Sequence, residues 1–216
     1  MGGRLGVMRK ALSAVAAVHL AGVAHRSLSA GSIALTSGTQ NKAVALERCT
    51  PGLLVVQLTD FSLASRLADD ADERLSACGR WGVDVAAGGA LALTALSIAE
   101  DLRALGQAFV GLLFGALATA EDPAGGGVGE RLVAQIDDVF KGDVRAWRDF
   151  VAADERLERV VELLDSEDGA GWDLLETMLG ARERVAKKGS GAGGMVTAAG
   201  LERHPFFEAA EGHDRH

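Results

Sequence analysis

Residues 25–35 read His25-Arg26-Ser27-Leu28-Ser29-Ala30-Gly31-Ser32-Ile33-Ala34-Leu35, and a second polar turn reads Thr59-Asp60-Phe61-Ser62-Leu63-Ala64. An imidazole titrating near neutrality can act as a general base, whereas the hydroxyls of Ser27, Ser29 and Ser32 are far too weak as bases at neutral pH. Asp69, Asp70, Asp72 and Glu73 are of metal-binding type, but without an EF-loop or helical frame a solvated loop accounts for them better. His213-Asp214-Arg215-His216 offers further ligand types in what reads as a solvated terminus. Gly125-Gly126-Gly127-Val128-Gly129 follows a helical stretch and a proline, and it lacks the lysine and Ser/Thr of a Walker loop. It reads as a plain connection. Cys49 and Cys78 have no C-x-x-C partner, so neither a disulfide framework nor a zinc site is suggested.

The elements that must position these residues are mostly helical. Met8, Leu12, Val15, Ala16 and Leu20 recur near helical spacing with Gly22 as a stop, which predicts a helix leading into the first polar stretch. Runs at 33–36 and 53–59 are β-branched or leucine-rich, and a polar loop with Ser37, Gly38, Asn41 and Pro51-Gly52 separates them. That pattern predicts a long-looped β-hairpin with the polar stretches at its base. Between Leu63 and Gly89 the acids and small residues predict an irregular acidic loop. The stretch 99–117 carries Leu102, Leu105, Phe109, Leu112 and Leu113 on one face and Ala104, Ala108, Val110 and Phe114 on the other, as a helix at the centre of a domain does.

Beyond a glycine-rich break at 123–129 the pattern turns amphipathic and charged. Asp143 is placed as an N-cap for a helix with Val144, Trp147, Phe150 and Val151, and Asp154 for one with Leu157, Val160, Val161 and Leu164. Trp172, Leu175, Met178 and Leu179 predict a further helix, ended by the glycine-rich stretch 187–194. Thr197 caps a last short helix that Pro205 terminates or kinks, and the chain divides into a domain at 1–208 and a polar tail at 209–216.

Composition narrows the function. The chain has 216 residues, of which 48% are apolar, enough for a sizeable core. Its 22 Lys and Arg stand against 30 Asp and Glu, a formal charge of -8 that argues against nucleic acid or anionic lipid as partner. The apolar windows 85–99 and 108–120 each fall short of the roughly 18 residues that a membrane span needs, so no span is expected. Residues 1–24 resemble a secretory signal in outline, with Arg4, Arg9 and Lys10 ahead of an alanine-rich run, but a helix in register with the loop that follows accounts for them better. Gly6 stands where a myristoylation signal wants Ser or Thr.

The two polar stretches resemble the catalytic loop H-R-D-L-x-x-x-N and the D-F-G turn of eukaryotic protein kinases. Glu100-Asp101-Leu102-Arg103-Ala104-Leu105-Gly106 resembles the start of that family's central helix, and 197–207, Thr197-Ala198-Ala199-Gly200-Leu201-Glu202-Arg203-His204-Pro205-Phe206-Phe207, its closing T-A-x-x-x-L-x-H-P-F-F. The four motifs occur in the family's order. Gly142-Asp143-Val144-Arg145-Ala146-Trp147-Arg148 and the surroundings of Trp172 look most like the thylakoid state-transition Ser/Thr kinases, which makes chloroplast or cytoplasm the expected location.

The resemblance implies a mainly α fold: a protein kinase-like large, C-terminal lobe with one short β-hairpin and no small lobe. It implies that Asp101 caps the backbone of the loop and that His25 packs beneath it; in active members Arg26 would receive a phosphate, which Ser65 or Ser76 could supply, but with the remaining machinery degenerate a plain structural arginine is the preferred reading. It also locates the departures. Ser27 stands at the catalytic aspartate, Ser29 at the loop lysine, Ser32 at the metal-holding asparagine, and Ser62 at the glycine after Phe61. Asp60 alone remains to hold Mg²⁺. Gly89 and Met195 match the glutamate and arginine of a buried ion pair, so both partners are missing together. No glycine-rich strand turn or V-A-I-K-type lysine occurs.

These features point to a pseudokinase-type binding or scaffold module, leaning away from an enzyme, with no cofactor and with a protein partner over the face where the small lobe would sit. Two alternatives stand beside it. One is the truncated record of an active Ser/Thr kinase, which would use ATP and Mg²⁺; the other is a secreted helical protein cleaved after residue 24.

Overall fold

A computed structural model describes residues 2–37, 54–115, 128–188 and 195–208. Asn41, Cys49, Pro51-Gly52, the glycine run at 123–127, the stretch 189–194 and the tail at 209–216 lie outside the described residues.

Helix α1 (Gly2–Leu20) starts ahead of Met8 because Leu5 extends the buried stripe formed by Met8, Leu12 and Val15. It leads through Gly22 into the short strand β1 (Val23–Ala24). Strands β2 (Ile33–Ser37) and β3 (Leu54–Leu58) pair antiparallel, Ile33 opposite Leu58 and Ser37 opposite Leu54, which is the predicted hairpin. Ile33, Val56 and Leu58 turn toward the core. A second two-stranded pairing joins β1 to β4 (Ser65–Arg66).

The stretch from 63 to 89 is not an irregular loop. It contains β4 and then α2 (Asp72–Trp81), with Asp72 and Glu73 in the first turn, where unpaired backbone N–H groups favour negative charge. Gly82 closes this helix in the left-handed conformation, and its N–H reaches back to the carbonyls of Cys78 and Gly79. The apolar period fails to announce α2 because its buried face is Arg74, Ala77 and Cys78. Burial pushes the Cys78 thiol pKa up.

Helix α3 (Val85–Phe114) begins well before Ala99, where the sequence placed its start, and Asp84 caps it by accepting from the Ala87 N–H at 3.0 Å. Its backbone breaks once, at Gly89 (φ 52°, ψ −139°), a conformation that glycine adopts without strain. From Ala92 onward it is the column on which the other elements pack, with Leu96, Leu102, Leu105, Phe109 and Leu113 buried. The windows 85–99 and 108–115 thus share one helix, long and apolar enough by length and composition to cross a membrane. Half of its most apolar window is buried inside the protein, and Asp101 and Arg103 are buried in contacts with other elements, as in a core helix.

The second half is helical, as expected: α4 (Val128–Asp138), α5 (Val144–Ala152), α6 (Glu158–Leu179), α7 (Ala181–Lys188) and α8 (Ala198–Leu201). The three expected caps form. Asp143 accepts from the N–H groups of Arg145 and Ala146, Asp154 from Arg156, and Thr197 from Gly200. Asp154 caps a 3-10 turn at Glu155–Leu157 that runs into α6.

Helix α6 carries a non-helical break at Ser166, Glu167, Asp168 and Gly169, which separates the expected helix of Leu157 to Leu164 from that of Trp172. Two expectations in this half need correcting. The helix of Trp172 ends at Leu179, and Gly180 separates it from α7. Pro205 neither ends nor kinks α8; a further helical turn spans 205–208 and starts at the proline, where the missing N–H costs nothing.

The break in α6 lets Gly171 approach Leu164 and Phe206 so closely that a Cβ there would lie 2.7 Å from the Leu164 Cα and 2.8 Å from the Phe206 Cε2. Trp147 joins the helices: it is fully buried, meets Phe114 and Trp172 edge-on at 5.4 and 5.8 Å, and lies where α5 packs on α6. The Trp172 indole donates to Asp165 at 2.8 Å. Arg103 crosses the core to donate to the Leu179 carbonyl at 2.5 Å and to Asp137, which also accepts from Gln107.

Candidate functional site

The support of the polar loop is Asp101. It lies in the middle of α3, so its carboxylate serves a neighbouring segment and not its own helix terminus. One carboxylate oxygen accepts from the His25 N–H at 2.7 Å and from His19 Nε2 at 2.9 Å, the other from the Arg26 N–H at 2.8 Å. The residue is almost fully shielded, and a buried carboxylate is tolerated only when hydrogen-bonded in this manner. The chain at Arg26 can therefore be held at φ 64°, and Asp60 opposite at φ 60°, both left-handed conformations that cost non-glycine residues strain.

His25 is unavailable as a general base. It is fully buried, its Nε2 donates to the Thr59 carbonyl at 2.9 Å, and its ring lies 4.5 Å from that of Phe61. The carbonyl can only accept, which places the ring proton on Nε2. The histidine joins the two polar stretches from below.

Above it, Ser27 and Asp60 are brought together although 33 positions separate them in the chain. Ser27 Oγ donates to Asp60 Oδ2 at 3.0 Å and lies 3.1 Å from the Asp60 carbonyl. Ser62 Oγ donates to the other carboxylate oxygen, Oδ1, at 2.6 Å. Each oxygen of this exposed carboxylate therefore carries a hydroxyl. The Ser62 and Ser27 hydrogen bonds hold the Asp60 carboxyl below the usual aspartate range.

Ser32 and Ser29 face a different task. The Ser29 N–H donates to Ser32 Oγ at 2.8 Å, Ser32 Oγ donates back to the Ser29 carbonyl at 2.9 Å, and the Ser32 carbonyl takes the Thr59 N–H at 2.9 Å. Ser32 is buried; its hydroxyl closes the 3-10 turn Ala30–Ser32 onto the Ser29 backbone, and its carbonyl ties the turn to Thr59 at the base of the hairpin. It points no side-chain oxygen toward Asp60's surroundings that these bonds leave open.

The guanidinium of Arg26 pairs with Glu73 at 3.1 Å, on the surface. Among the described residues no three His, Cys, Asp or Glu side chains gather into a group able to hold a metal, so the carboxylates at 69–73 form no such cluster. Asp69 accepts from the Ala71 N–H at 3.3 Å, and Asp72 and Glu73 belong to α2. Gly89 sits at the break in α3, where a glutamate would be strained, and Met195 packs against the core.

Reading the sequence brought out Ser27, Ser29, Ser32, Asp60, His25 and Asp101 but missed three participants. Ser62 counted only as a lost glycine, yet its hydroxyl is the closest group to the Asp60 carboxylate. His19 closes the α1 helix and reaches Asp101 across 82 positions. Glu73 takes the Arg26 guanidinium. A serine two places after an aspartate in a turn is a local signal that could have revealed the first; nothing in the sequence singles out the other two. No family model, curated protein or solved structure matches this chain.

Proposed function

We propose that the chain is a protein kinase-like large lobe that acts as a binding or scaffold module and does not transfer phosphate. The observation that carries this reading is the state of Asp60, whose two oxygens are engaged by the hydroxyls of Ser27 and Ser62. Phosphoryl transfer needs an acceptor for the nucleophile's proton and side chains that hold magnesium on the nucleotide. In this reading Ser27 stands where the proton acceptor belongs, and it acts toward Asp60 as a donor. Ser32 stands where the second metal ligand belongs, and its hydroxyl is spent on the backbone of its own turn.

The residues present do not fit a magnesium-nucleotide. Among the described residues no group of three His, Cys, Asp or Glu side chains forms around Asp60, and in this reading Ser29 takes the place of the lysine for the phosphates. Losing a proton acceptor alone typically costs about 10²- to 10⁴-fold in rate. What supports the scaffold half of the reading is the buried carboxylate of Asp101, which holds the loop backbone in shape although the side chains above it have changed. The proposed partner is a protein, over the face that carries the hairpin and the exposed ring of Phe61.

Adding ATP and Mg²⁺ to the purified protein should leave its thermal unfolding midpoint unchanged, because a ligand that does not bind the native state cannot stabilise it. An upward shift with ATP and Mg²⁺ that Asp60→Ala removes, together with phosphate transfer to any protein at kinase-like rates, overturns the proposal in favour of an active kinase.

A further inference from the structure

We infer that the segment following Asp60 is held in one conformation by a buried latch centred on Arg74, and that charge introduced near the surface Arg26 does not switch it. The Arg74 side chain is almost wholly buried at the start of α2. Its Nη1 donates to Glu100 at 2.5 Å and its Nη2 to Ser97 Oγ at 2.8 Å, both on α3. Ser97, itself buried, passes its own proton to the Leu67 carbonyl at 2.9 Å. On the other side of the same residue the Leu67 N–H donates to the Gly22 carbonyl at 2.9 Å, which continues the pairing of Val23 with Arg66 and Ala24 with Ser65.

Leu67 is thereby pinned from both sides. A serine hydroxyl that accepts from a guanidinium becomes a better donor, so the Arg74–Ser97–Leu67 chain is stronger than its parts. The competing tie is the Arg26–Glu73 pair, and it is weak: the Glu73 side chain is 77% exposed, and pairs in water contribute little. Burial therefore decides which contact sets the segment. Ser65, paired in β4, and the exposed Ser76 of α2 could carry a modification, but neither is a member of the latch.

Amide hydrogen exchange at Leu67 and Asp69, whose N–H groups bond to Gly22 and Arg66, reads the state of this segment, with α3 amides as a reference for global unfolding. Ser97→Ala removes the relay and leaves the Arg74 guanidinium and the Leu67 carbonyl each short of a partner. It should speed exchange at Leu67 and Asp69 about tenfold or more while the α3 amides keep their protection. Arg74→Lys should act in the same direction; if that protein fails to fold, Ser97→Ala carries the test alone. Arg26→Ala, Ser65→Asp and Ser76→Asp should each stay within about twofold of the parent. The inference is overturned if Ser97→Ala leaves exchange at Leu67 and Asp69 unchanged, or if any of the three surface variants matches its effect.

Discussion

Replacing Asp101 with alanine is expected to lower the free energy of unfolding by about 3 to 5 kcal/mol, because a buried backbone donor, a partly buried one and an imidazole lose their acceptor at once. The His25 and Arg26 amides and His19 Nε2 all converge on this carboxylate. The damage should spread beyond stability. Arg26 sits at φ 64° only while its N–H is held, so releasing it lets the loop relax and separates Ser27 from Asp60. Asp101→Asn keeps one acceptor oxygen and should cost roughly half as much. Denaturant unfolding gives the energies, and the amide shifts of His25 and Arg26 report the loop. A cost for alanine below about 1 kcal/mol would mean that the loop does not rest on this carboxylate.

Trp147→Ala should be comparably severe, at about 3 to 5 kcal/mol, the range for removing a buried aromatic side chain. The indole is fully enclosed and meets Phe114 of α3 and Trp172 of α6, so its loss leaves a cavity bounded by two elements that cannot easily collapse. Its Nε1 has no hydrogen-bond partner among the described residues, so the ring contributes through packing. Trp147→Phe, which keeps an aromatic ring with less volume, should lose substantially less. Equal losses for alanine and phenylalanine in chemical denaturation would contradict this account of the helical half.

The two variants also show which parts of the molecule the sequence made legible. Local rules succeeded. Asp143, Asp154 and Thr197 announce helix starts by residue type and spacing, and each caps as expected. The hairpin was readable from two β-rich runs and the turn residues between them, and α1 and the apolar core of α3 from their period. The approach of Asp101 to residues 25 and 26 was expected from the order of motifs and could not have come from composition or periodicity.

Failures came where charge is buried. Arg74 and Arg103 read as surface residues in a sequence, yet each crosses between helices to partners tens of positions away. Burial of Arg74 on the inner face of α2 hid that helix inside an acidic stretch. The interruption of α6 was legible by contrast: the apolar positions at 157–164 and 172–179 read as two helices, and the break falls between them, although three of its four residues have positive φ and only one is glycine. The hydroxyl pairs at Asp60 were missed for a related reason. A serine in place of an aspartate or a glycine reads as a loss, and only the fold reveals that Ser27 and Ser62 take up a carboxylate.

That carboxylate also fixes a pH dependence. Because the folded-state pKa of Asp60 is lowered by the Ser62 and Ser27 hydroxyls, the contribution of these bonds is fully present above the ordinary aspartate pKa of about 4 and is lost as pH falls through the lower folded value. The most direct test of the account is the carboxyl ¹³C titration of Asp60 by NMR in the parent, Ser62→Ala and Ser27→Ala proteins. The expected result is a depressed pKa that moves toward the ordinary value in both variants, more in Ser62→Ala, and that does not respond to ATP and Mg²⁺. An ordinary pKa insensitive to both serines, or a carboxyl resonance that shifts on adding ATP and Mg²⁺, would show that Asp60 is open for nucleotide-bound metal and would contradict the central claim.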